Sequence, residues 1–285
     1  MGGDDQRRAD RRPRRRGWVL PLALIVITFG VPSMRGGAVV GSEQVTELIQ
    51  SVLMQPWSES VPILMPVAKL ALLVVAVMGI TGKGPYAKVL LAYYAANLGV
   101  VALFQNTATL PEGVAVIVGN LLAQLVVAAV CLLGIRGTSD TASLRRERLW
   151  MLPLMLWAWL YPFALQGNTI VPGGWTGLFV NSAGVTYCMV TPVIAGTMAL
   201  RPAAYGRTTR VVVGWLGLIF GLLNLLTWFV VRPASWWMGT LHVPLLVITA
   251  VLTITSWRES RESSGVGVGV GEGVADGAHA RASET

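Results

Sequence analysis

The chain has 285 residues, of which 54% are hydrophobic and only 13% charged, with a mean hydropathy of +0.61. A soluble globular protein carries roughly 25% charged residues, so a soluble enzyme is excluded as the starting assumption and a polytopic membrane protein takes its place. The net charge of +8 is spread over many loops, which argues against a folded nucleic-acid-binding domain.

Residues 1–17 form a basic segment with seven Arg between Arg7 and Arg16. The apolar run after it is of full span length, and no Ala-x-Ala site follows, so it reads as an uncleaved first span. In all, eight stretches approach the roughly 20 apolar residues a span needs: 18–34, 61–80, 87–104, 113–135, 149–165, 178–200, 211–231 and 241–257. The fifth is the weakest, being short with Pro153 and Pro162 near its ends. The expected fold class is therefore all-α, a transmembrane helix bundle of about eight spans over residues 18–257.

Basic residues test the count independently, because short cytoplasmic loops hold the excess of Lys and Arg. With the N-terminus inside, nineteen of the 22 basic residues fall on the inner side, two (Arg35 and Arg232) on the outer side, and Lys69 within a span. This pattern predicts a plasma-membrane protein with both termini cytoplasmic.

Between the first two spans, residues 42–54 place Val45, Leu48, Ile49, Val52 and Leu53 on one helical face and Glu43, Gln44, Glu47, Gln50 and Ser51 on the other. An amphipathic helix is expected here, lying in the outer interface beside Trp57 as a connector or a lid. At the other end, residues 258–285 read as a cytoplasmic tail whose alternating glycines from Ser263 onward lack the side chains to pack, so it is expected to be disordered.

Sliding the chain by 62 residues aligns Ala102, Leu103, Asn106 and Thr107 with Ala164, Leu165, Asn168 and Thr169, and then, after a one-residue gap, Pro111, Gly113 and Asn120 with Pro172, Gly174 and Asn181. Two readings stay open: a parallel repeat of two-helix hairpins, and the ordinary recurrence of turn residues.

All fourteen acidic residues lie outside the spans, so Lys69 has no acid partner at its depth. It must snorkel outward or meet neutral acceptors. Lys69, Asn120, Asn181 and Asn224 fall in the outer halves of their spans, with Asn97 and Gln124 nearer the middle. These six form the candidate ligand-binding set; interhelical hydrogen bonding is the alternative use.

The missing groups exclude intramembrane carboxylate pumps, Asp-rich prenyltransferases and His-Glu-x-x-His proteases. With two histidines, His242 and His279, at or beyond the last span, bis-histidine haem ligation is excluded too. No cofactor or metal is expected. Cys131 and Cys188 lie at depths too different for a disulfide. Ser182 with Lys69 is the nearest approach to a nucleophile and base, and it sits in no recognisable motif.

Two functions follow. One is a carrier, channel or binding protein for a small neutral or anionic molecule, using the six polar residues. The other is a non-catalytic membrane subunit or scaffold that assembles with a membrane protein partner or with copies of itself, suggested by small residues such as Gly214, Gly217 and Gly221. The lipid bilayer is a partner under both, and nucleic acid under neither.

Overall fold

The computed structural model describes residues 19–61, 63–166, 169–175 and 177–265. The basic N-terminal segment and residues 266–285 of the predicted tail lie outside them. The first helix, α1 (Val19–Gly30), has 12 residues. A tight turn follows, in which Gly36 (φ 57°) and Gly37 (φ 83°) join β1 (Met34–Arg35) to β2 (Ala38–Val39). Both turn positions need the left-handed region, which glycine enters without penalty.

Helix α2 (Ser42–Met54) forms at the predicted residues. Its apolar face does not lie open to headgroups. The strands β3 (Thr107–Leu110) and β4 (Gly113–Val116) join the first hairpin in a four-stranded antiparallel sheet of order β2-β1-β4-β3. Leu48 and Val52 of α2 pack there with Ala108, Leu110, Ala115 and Ile117, and Trp57 Nε1 donates to Thr109 Oγ1 at 3.0 Å. The helix is thus the roof of a small second core.

Five helices are long and apolar enough to cross a membrane among the described residues, and a sixth span arises if one bent pair counts as one. They are α3 (Leu64–Thr81), α4 (Tyr86–Val100) with the π-helical turn Val101–Gln105, α5 (Val118–Gly134) with the 3-10 turn Ile135–Gly137, α9 (Arg207–Leu226) with the π-helical turn Thr227–Val231, and α10 (Val243–Gly265) with the turn before it. The all-α expectation holds, while the expectation of eight full-length spans is reduced in three places. Within 18–34 the described helix ends at Gly30, before Pro32. Within 149–165, α6 (Leu152–Leu160) has nine residues, because Tyr161 takes a left-handed φ of 41° and Pro162 follows. Within 178–200 the chain breaks into α7 (Gly177–Val180), the 3-10 turn Ser182–Val185 and α8 (Tyr187–Leu200), bent by 81° across extended Thr186.

Local corrections follow from the same features. Residues 113–116 form β4, not the start of a span, and α10 runs past Trp257 to Gly265, into the segment expected to be disordered. The hairpin of β5 (Phe163–Gln166) and β6 (Thr169–Pro172) closes the other half of the sequence echo. The aligned positions agree only in part: Ala102 and Leu103 are helical where Ala164 and Leu165 are in a strand, whereas Thr107 and Thr169 both begin strands. The partner of the echo at Asn168 lies outside the described residues.

The core is centred on α8, in which Tyr187 and Met189 to Leu200 are all buried. The outer helices instead expose rows of large apolar side chains, such as Val67, Leu70, Val74 and Val77 on α3 and Leu222, Leu226 and Val230 toward the end of α9. Water would penalise such a belt by roughly 25 cal/mol per Å², and lipid does not. These long apolar helices are those of a membrane protein, and among the described residues α8 is the helix buried at its centre.

Candidate functional site

The sheet lies at one end of the bundle, and just below it α3 begins. Lys69, the sixth residue of α3, is 1% exposed. It does not snorkel. Its ammonium donates to Leu160 O at 3.0 Å, to Asn181 Oδ1 at 2.8 Å and to Leu178 O, and it stands 4.8 Å from the centroid of the Trp159 ring. Three N–H groups meet three oxygens, so the donor capacity of the ammonium is filled.

The chain brings those oxygens together for local reasons. Leu160 is the last residue of α6, where a carbonyl has no intrahelical partner. A cation suits that end of a helix dipole. Asn181 opens the 3-10 turn by accepting from Ala183 N at 3.1 Å, and its amide donates to Leu160 O at 2.8 Å and Tyr161 O at 2.6 Å. Trp159 Nε1 donates back to Lys69 O at 3.1 Å. The broken segment can approach α3 because residue 184 is glycine: a Cβ there would lie 2.3 Å from Lys69 N.

Asn97 of α4 completes the node from the other side. Its Nδ2 donates to Gly184 O at 2.7 Å and to Tyr93 OH at 3.4 Å, and Tyr93 OH donates to Ala68 O at 3.2 Å. Asn97 Oδ1 is buried and has no hydrogen-bond partner among the described residues. The node is therefore built of a cation, amides, phenols and backbone oxygens, and no carboxylate pairs with it among the described residues.

No family model, curated protein or solved structure matches this chain. Its function has to be read from its own geometry.

Of the six predicted residues, Lys69, Asn97 and Asn181 come together. Gln124 does not join them: it is buried on α5 and accepts from Asn106 Nδ2 at 2.8 Å, while the same amide reaches Val101 O and Ala102 O in the π-helical turn. Asn120, one turn before Gln124, is half-buried. Asn224 donates to Phe220 O at 2.8 Å and to Cys188 Sγ at 3.8 Å. Cys131 and Cys188 are free thiols. Two clefts of about 170 and 80 Å³ lie along α2, the larger lined by Arg35, Gln44, Glu47 and Glu112, and none of the six candidates lines either.

Sequence reasoning missed Trp159, Gly184, Tyr93 and the carbonyls of Leu160 and Leu178. The pair Tyr161-Pro162 was a legible helix stop, and Asn181-Ser182 a legible cap. The backbone carbonyls carry no residue-type signal at all. Gln105 was also missed, though its Oε1 accepts from Tyr187 N at 2.9 Å and so secures the first residue of α8 beyond the break.

Proposed function

We propose that this protein is a multi-pass plasma-membrane carrier or binding protein for a small neutral or anionic molecule, worked by the Lys69, Asn97 and Asn181 node. The observation that carries the reading is a buried ammonium, without a counter-ion among the described residues, at the break in the central buried span. Holding a charge there costs several kcal/mol after relaxation, whereas an apolar side chain of similar volume would pack at no such penalty. Intramembrane ionisable residues that persist against that cost mark pathways and binding sites. Non-helical backbone at membrane depth is tolerated where protein buries it or where it lines a cavity, and broken helices frame substrate sites in carriers. The unpaired Asn97 Oδ1 supports the same reading, since a buried acceptor left open calls for a partner.

The finer topology belongs to the same proposal. Counting the short helices α1 and α6 and the bent pair with the five long ones makes eight passes, with the basic end and both termini cytoplasmic.

An assembly subunit is the second reading, favoured by the closed state of the node, in which every N–H of Lys69 is engaged. The test is a thermal-shift screen of small neutral and anionic metabolites on the protein in nanodiscs, alongside Lys69→Met. A true ligand at about 100 times its Kd adds about 2.7 kcal/mol, so at least one compound should raise the melting temperature of the wild type by several degrees and leave Lys69→Met unmoved at equal folded yield. If the wild type answers no compound and purifies with a stoichiometric partner, the assembly reading takes over.

A further inference from the structure

We infer that Lys69 is a proton-binding switch: as an ammonium it ties the broken segment 177–185 to α3 and α6, and when its proton leaves to water the segment is released. The inference rests on the carrier reading and supplies its coupling ion.

The acceptor set fits one charge state. Leu160 O, Leu178 O and Asn181 Oδ1 are all lone-pair donors to the ammonium, and none carries a proton to give back. A neutral amine keeps two N–H groups and gains a lone pair, so one of the three oxygens would face a lone pair across a hydrogen-bond distance. Charge–dipole attraction to the end of α6 disappears in the same step, as does the cation–π contact with Trp159. The balance is simple: the ammonium becomes an amine plus a proton, water at the sheet end takes the proton, and nothing is oxidised or reduced.

Among the described residues no carboxylate is paired with the switch. The ionisable side chains on the elements packed against α3 are Tyr86, Lys88, Tyr93 and Tyr94 on α4, Tyr161 at the end of α6, and Tyr187 and Cys188 on α8; the turn Trp57–Ser60, which reaches the same end, carries Glu59. No acid pairs with Lys69 among the described residues, so its own proton is the source of the positive charge in the node. The moving part is equally well defined. Beyond extended Thr186 (φ −110°, ψ 122°), α8 is buried except at half-buried Cys188 and is secured by Gln105 at its first residue; in the segment before it Phe179 and Val180 of α7 are exposed, while Ala183, Gly184 and Val185 of the 3-10 turn are buried against α3. Apart from the Lys69 bonds, the side-chain bonds that hold the segment are those of Asn97 Nδ2 to Gly184 O and of Asn181 Nδ2 to Leu160 O and Tyr161 O, so the switch acts on a segment that these amides still hold in part.

Reductive methylation with formaldehyde and cyanoborohydride tests this on the wild type in nanodiscs, because the reagent takes neutral amines. The chain has three lysines, so Lys83 and Lys88 serve as references in the same mass spectrum. From about pH 6 to about pH 10, modification of Lys69 should rise by about tenfold per unit until it saturates. Deuterium uptake by peptides over 177–186, normalised to peptides from α9, should rise over the same range. In Lys69→Met the segment should take up more deuterium than in the wild type at about pH 6 and show no rise relative to α9 as the pH is raised, while α9 and α10 stay protected. Lys69 left unmodified while Lys83 and Lys88 react, or uptake in 177–186 that ignores pH, overturns the switch. Should Lys69→Met fail to fold, the wild-type profile decides alone. Titration and opening in a protein that no screened compound stabilises would uphold the switch and remove the carrier reading.

Discussion

Lys69 and Gly184 are the two halves of one joint. The cation needs oxygens from a broken segment, and the segment reaches it because position 184 has no side chain. Alanine at 184 would put a Cβ 2.3 Å from Lys69 N and 2.5 Å from Ala68 C, both backbone atoms that cannot swing aside. Overpacking of this kind costs roughly 1–3 kcal/mol. Gly184→Ala should therefore unfold at a clearly lower temperature in detergent; an unchanged transition would mean that the segment and α3 are not in this close contact. Lys69 and Asn181 were legible as candidates because a charge or an amide inside an apolar run has to be explained. Gln124 was legible for the same reason and turned out to serve Asn106, because residue type marks a polar side chain but not its partner.

Among the elements, the glycines of α9 decide between inside and outside. Added Cβ atoms at Gly214, Gly217 and Gly221 would meet Thr253 Oγ1 at 2.4 Å, Thr249 Cγ2 at 2.4 Å and Leu246 Cα at 3.0 Å, all on α10. The stripe packs the chain against itself, which is the closer use that small residues allow. Gly217→Leu is expected to lower the yield of monodisperse protein and its melting temperature together. A stable, monodisperse variant that had lost only a partner in a pull-down would restore the stripe to assembly.

Arginines at the opposite end show a second elementary pattern. Arg201 donates to Ile80 O at 3.1 Å in the last turn of α3, Arg148 to Ala199 O at 2.8 Å in the last turn of α8, and Arg207 to Ser256 O at 3.1 Å on α10. Arg201 and Arg148 thus meet carbonyls at the negative end of a helix, while Arg207 meets one well before the end of α10. Arg210 adds an ion pair with Glu259 at 2.6 Å. Charges read in the sequence as markers of orientation thus also cap helices contributed by other parts of the chain.

For the whole molecule, the two ends differ in kind: one carries the four-stranded sheet under α2, the other these arginines. If the excess of basic residues sets the orientation, the sheet end faces out. In a background with both native cysteines replaced by alanine, Glu112→Cys in the β3–β4 turn should react with an impermeant maleimide on intact cells. Ser143→Cys, exposed at the basic end, should react only after permeabilisation. The reverse pattern would invert the topology and the direction of access to the node.

What the sequence by itself determined is what short stretches decide: which segments are apolar and helical, where helix α2 begins and ends, which residues are costly in lipid, and which loops collect cations. Apolar length and charge are properties of neighbours along the chain, so they survive without a fold. The tertiary structure alone decided that α2 roofs a sheet, that 178–200 is broken and central, and that Lys69 rests on oxygens 91, 109 and 112 residues away. Strands of two to four residues and backbone acceptors leave little compositional trace, and pairings over such separations are chosen by packing, which no local window contains.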